Sequence, residues 1–225
     1  MHVHLPKPMH GWRQFAGEVG VIVLGVLIAI AFEQMVERLH WVGEVRTARS
    51  ALHREMQQPD RVFAWRVAAE PCVSRRLSEI EGLLERTAKH ASKSRVGPVI
   101  PDIGNALDDN VWETYRASQT LAHFDDAELA LLGVYYTQLA NIRLFEGQET
   151  RDWATIKVIE GDPSRLGPVD VAGIRVAIQN ARFENRIVAS IATDELSYSR
   201  DLGVAGRPAN AERLKKVCAP ISISA

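Results

Sequence analysis

The chain is predicted to be all-α: an N-terminal transmembrane helix, an amphipathic stalk continuing it, and then a helical bundle domain. Three observations lead there. Val19 to Phe32 form an unbroken apolar run of 14 residues. Apolar residues then recur at helical spacing through most of the chain. No stretch shows sustained alternation of apolar and polar residues between turn dipeptides, the signature of paired strands.

The run of 14 is short for a membrane, which needs about 20 residues to cross ~30 Å of hydrocarbon. Its flanks lengthen it. Phe15, Ala16 and Gly17 extend one side and Met35 and Val36 the other, with Glu18 and Glu33 as the only charges inside the wider window. Trp12 and Trp41 lie outside these, roughly 43 Å apart along one helix, at the spacing of interfacial anchors. Two other readings fit the run: a buried core helix, or a signal peptide cleaved after the small-x-small triplet Ala29-Ile30-Ala31. The cations near the span do not decide its orientation, but a short tail before a bulky domain is the arrangement of a signal anchor. It predicts a cytoplasmic N-terminus and a periplasmic C-terminal domain. The expected segments are a tail over 1–14, the span over 15–36, a stalk over 37–58 and the domain over 59–225.

Met35, Leu39, Val42, Val45, Leu52 and Met56 continue the helical period, and Pro59 is the first breaker. Pro71 then suits the opening turn of a second helix, with Val73, Leu77, Ile80 and Leu84 on its apolar face. Gly97, Pro98, Pro101 and Gly104 predict a loop over 96–105. A short helix holding Trp112 and Tyr115 comes next. Asp125 or Asp126 caps a third long helix with face Leu129, Leu132, Tyr136 and Leu139. After a second Gly/Pro loop, a helix carrying Ile174, Ile178, Ala181, Val188 and Ala192 runs to about Arg200, and a terminal helix bears Leu214 and Val217.

Gly17-Glu18 followed by Val19-Gly20-Val21-Ile22-Val23-Leu24-Gly25-Val26-Leu27-Ile28-Ala29 resembles the opening of a broad group of uncharacterised bacterial single-span membrane proteins. Those begin with Gly-Glu, an aliphatic run, and then Gly-Ile-Leu-Ile-Ala. Glu18 and Gly25 match the group's spacing, and the likeness covers about the first 40 residues. This chain has Glu33-Gln34 and His40-Trp41 where many of the group have an Asn-rich segment. The resemblance implies an inner-membrane anchor and a mostly helical outer domain, and it implies no catalytic activity.

Composition excludes several classes. With 46% apolar and 24% charged residues the chain is not disordered, and a formal net charge of -1 argues against a basic nucleic-acid binder. Two cysteines exclude a disulfide-dense scaffold and a four-cysteine zinc site. No nucleophile elbow, Walker loop, dinucleotide fingerprint or His-Glu-x-x-His is present. His2, His4 and His10 belong to the tail, and His40, His53 and His90 stand singly on helices. His123 precedes Asp125 and could serve as a base, or the aspartate simply caps a helix. Cys72, after Pro71 and beside Arg75-Arg76, could be an activated thiol at a helix N-terminus. A bond between Cys72 and Cys218 is the stronger expectation, because both lie in the part assigned outside the cytoplasm. Closing that loop would stabilise by roughly 5 kcal/mol in the chain-entropy model. Two buried free thiols or an intermolecular bridge are the alternatives.

Inside the span, Glu18, Ile22, Gly25, Ala29 and Glu33 share one helix face, and Gly25 with Ala29 forms a small-x-x-x-small pair that allows close helix approach. The function expected is that of a membrane-anchored interaction or scaffold protein. Its partners would be the lipid bilayer, a second copy through the membrane helix and a protein not specified by the sequence, with no cofactor, metal or nucleic acid. The alternative is a membrane-tethered enzyme using His123 with Asp125, or Cys72.

Overall fold

The computed structural model describes residues 11–89, 94–99, 101 and 107–224. His2, His4, His10, His90 and part of the predicted 96–105 loop lie outside them. Five α-helices form among the described residues: α1 (Trp12–Lys89), α2 (Asn110–Arg116), α3 (Asp126–Ile156), α4 (Pro168–Asp201) and α5 (Ala211–Cys218). The all-α expectation therefore holds. The strands are one antiparallel pair of two residues each, β1 (Arg95–Val96) and β2 (Ile223–Ser224), with Val96 opposite Ile223. The chain divides into two compact units, residues 1–48 and 49–225.

In the first unit the helix starts just after Gly11, whose φ of +97° only glycine adopts readily, and whose carbonyl accepts from the amides of Gln14 and Phe15. Its apolar stretch is long enough to cross a membrane, and none of that stretch is buried against protein.

The second unit corrects the predicted segmentation in two ways. It begins at Arg49, not at residue 59, because Leu52 and Met56 at the end of the expected stalk are fully buried in it. Neither Pro59 nor Pro71 ends a helix, since both lie inside α1. A proline within a helix costs about 3 kcal/mol through a lost hydrogen bond and a ring clash. Here packing on both sides of each proline offsets that cost: Leu52, Met56, Phe63, Trp65, Ala69, Val73, Leu77 and Ile80 are all buried.

Against this stripe of α1 stand α3 and α4. Trp65, Ala69, Val73, Leu77 and Ile80 share one apolar cluster with Trp153 and Ile156 of α3 and with Ile174, Ala177, Ile178 and Ala181 of α4. Local chemistry sets the helix ends. Asp125 is the N-cap of α3, accepting from the amides of Ala127 (3.0 Å) and Glu128 (3.3 Å). Pro168 opens α4, and Asp170 reaches back to the Gly167 amide at 2.9 Å. Gly203, at φ +77°, ends α4 while the Val204 amide bonds the Ser199 carbonyl, a Schellman closure. Asn210 caps α5 through the Arg213 amide. The first amides of α2 are met from outside: Glu55 of α1 accepts from Val111 (2.7 Å) and Trp112 (3.2 Å), and Tyr136 donates to the same carboxylate. Trp112 stacks flat on Tyr136, with ring centroids 4.7 Å apart.

The β1/β2 pair packs closely on a glycine beside it. A Cβ on Gly97 would sit 2.0 Å from Ser222 Oγ and 3.2 Å from the Ser222 carbonyl oxygen. Gly97→Ala is therefore expected to push the C-terminal strand away and to lower stability by about 1 kcal/mol or more, read as an earlier urea midpoint at unchanged m-value. An unchanged midpoint would show that the strand tolerates the displacement.

Candidate functional site

Three features of the structure bear on function: the apolar N-terminal stretch, the anchorage of the C-terminal segment, and a polar seam inside the bundle.

The expected face of the first unit is open. A Cβ at Gly25 would meet nothing within 4 Å, and Ala29 is exposed like its neighbours. Trp12 at one end of the stretch is 79% exposed, and Trp41 at the other is half-buried with His40 edge-on at 5.2 Å. An exposed apolar surface of this extent marks a site of interaction with a membrane or a protein.

The structure brings Cys72 and Cys218 together as a disulfide, with Cα atoms 4.9 Å apart. The idea of an activated Cys72 thiol is corrected at the same time. Cys72 lies in the middle of α1, where no free helix N-terminus stabilises a thiolate, and its sulfur is bonded. The adjacent arginines act on the same end of the chain. Buried Arg76 donates to the carbonyls of Val99, Val217 and Ala219, and Arg75 donates to the Cys218 carbonyl at 2.6 Å. Two guanidinium groups thus satisfy carbonyls in and just beyond the last turn of α5, where a cation is favoured. Arg213 of α5 lies over the Trp65 ring, 4.2 Å from its centroid.

The second reading of His123 fares better than the catalytic one. His123 is exposed, and the Asp125 carboxylate proposed to assist it holds the start of α3.

The seam was not foreseen. Asp60, Arg66, Glu149, Glu184 and Glu195 are all buried between α1, α3 and α4, and Glu146 has an oxygen shut off from solvent. Arg66 and Glu149, each with a side chain 1% exposed, are paired at 2.7 Å. Burial raises the Glu149 carboxyl, and Arg66 draws it back. Glu146 and Glu184 are both pushed up to about 7, chiefly by burial. A signal for part of this did exist. Continuing the α4 face Ile174–Ile178–Ala181–Val188–Ala192 by steps of three and four reaches Glu195 and Ser199. A charge on an apolar face at that register marks a buried polar site.

No family model, curated protein or solved structure matches the chain.

Removing one partner of a buried ion pair leaves the other charge uncompensated, at a cost of about 3–5 kcal/mol. Arg66→Met should therefore destabilise the protein strongly, whereas Arg66→Met with Glu149→Leu should lose less than the single change. Thermal unfolding of the detergent-solubilised protein reads both. A double variant less stable than Arg66→Met would contradict the pairing.

Proposed function

We propose that the chain is a single-span inner-membrane protein whose helical C-terminal domain lies in the periplasm and works as an interaction or scaffold module. The observation that carries this reading is the apolar stretch of α1, which is long enough to cross a bilayer and wholly unburied. The Cys72–Cys218 bond favours an oxidising compartment for the domain. The resemblance of the Gly17–Ala29 segment to bacterial single-span anchors points the same way. An enzymatic role through His123 and Asp125 or through Cys72 is the weaker reading, because Asp125 is occupied by its cap and Cys72 has no thiol while the bond stands.

Reporters active only in the periplasm or only in the cytoplasm, fused in turn after Ala225, test the topology. The periplasmic reporter alone should be active; activity of the cytoplasmic one alone reverses the orientation. Release by alkaline carbonate would remove the span altogether.

Within the membrane, a second copy is the partner proposed for the Gly25/Ala29 face. Gly25→Ile with Ala29→Ile should separate the backbones and weaken self-association by on the order of 1 kcal/mol. A two-hybrid signal between membrane helices that the double change leaves intact would discard this face.

A further inference from the structure

At one level of the bundle, α1, α3 and α4 meet around buried acids that form no salt bridge among the described residues. Asp60 of α1 and Glu195 of α4 are both 0% exposed. Ser199 of α4 donates to Asp60 Oδ1 at 2.5 Å, and Tyr135 of α3 donates to the same oxygen at 3.4 Å. Asp60 Oδ2 and both carboxyl oxygens of Glu195 are shut off from water and have no hydrogen-bond partner among the described residues.

The charged and titratable groups acting on this pair are few. From α1 there is Asp60 itself. From α3 there is Tyr135, whose own ionisation burial suppresses, with Tyr136 beside it. From α4 there are Glu195 and the exposed Asp194. Arg66, further along α1, is engaged by Glu149. Two carboxylates cannot both be charged in such a place without a large desolvation and repulsion penalty.

We propose that Asp60 and Glu195 form a proton-binding clasp between α1 and α4, in which a proton held on the pair stabilises the packing of the two helices and its loss weakens it. The step is a simple ionisation: a carboxyl O–H bond breaks, the electron pair stays on the oxygen, and the proton leaves to solvent. Glu195 is the proton holder, because neither of its oxygens accepts a hydrogen bond that would stabilise a negative charge. Asp60 accepts two and is the one that ionises first.

The direction of the pH dependence follows. Burial and the facing carboxyl push Glu195 up to about 9, and burial pushes Asp60 up to about 6. An unfolded chain has carboxyls near 4. Between those values the folded protein binds more protons than the unfolded one, so stability is greatest on the acid side and is lost as pH rises. Asp60 contributes its loss up to about pH 6 and Glu195 up to about pH 9. Each such proton changes the folding equilibrium about tenfold per pH unit. Glu146 and Glu184 act in the same direction, so the clasp is isolated only by comparison with a variant.

The test is a pH series of unfolding, from about pH 5 to pH 10, on the full chain in detergent, for the native sequence and for Glu195→Gln. Glutamine keeps the shape and cannot ionise. The native protein should lose stability more steeply than Glu195→Gln between about pH 6 and pH 9, by about tenfold in folding equilibrium constant per pH unit. Parallel profiles displaced by a constant would mean that Glu195 only fills space, and would overturn the proposal. Infrared spectroscopy of the native chain in D2O needs no variant. A protonated carboxyl band should be present near neutral pH and vanish above about pH 9. Absence of that band at neutral pH, or loss of it only together with the Glu146 and Glu184 ionisations near pH 7, would equally overturn it. Asp60→Asn, which leaves a single acid at the site, should lower the pH at which the band disappears.

Discussion

One stripe of α1, from Leu52 to Leu84, has to be kept from water, and the rest of the second unit is arranged to cover it. Two long helices do most of this, with α3 and α4 supplying Trp153, Ile156, Ile174, Ile178 and Ala181. The remaining strip of α1 is covered by the end of the chain. Val217 is buried there, Arg213 covers the Trp65 ring, and the disulfide with Arg75 and Arg76 holds α5 in place. The arginines matter because they meet carbonyls that α5 leaves open at its C-terminal end, so a terminal helix of eight residues stays docked despite its small apolar face. The apolar part of the first unit has no such cover among the described residues, and in the proposed reading lipid takes that place.

The polar seam modifies this simple picture of a bundle core. Arg66 and Glu149 neutralise each other, but Asp60 and Glu195 form no salt bridge among the described residues. A core of this kind is less stable than an apolar one of equal volume and far more sensitive to protons. Its charges also fix how the helices meet. Asp60 reaches α3 through Tyr135 and α4 through Ser199, so sliding any one helix by a turn would break a buried contact.

Much of the architecture was legible in the sequence, because its signals are local. Asp125 and Asn210 mark helix starts and Gly203 a helix end by chemistry confined to one turn. The Cys72–Cys218 bond was legible by arithmetic, since only two cysteines exist. Pro59 and Pro71 misled because the local rule against proline was overridden by packing against side chains of α3 and α4, distant in sequence. The β1/β2 pair was invisible, as two-residue strands carry no periodicity. The seam was hidden for a related reason. Asp60 carries no local mark of burial, and Glu195, though in register with the apolar face of α4, shows no counterpart in the sequence until the fold buries both.

The reading we propose is an oxidised helical bundle outside the cytoplasm in a chain anchored by an N-terminal membrane helix. Labelling intact cells with a mass-adding maleimide, with and without prior reduction, tests it most directly. The account predicts no added mass before reduction and two labels per chain afterwards. Two labels without reductant would mean that Cys72 and Cys218 are free thiols, and would contradict both the latch on α5 and the compartment.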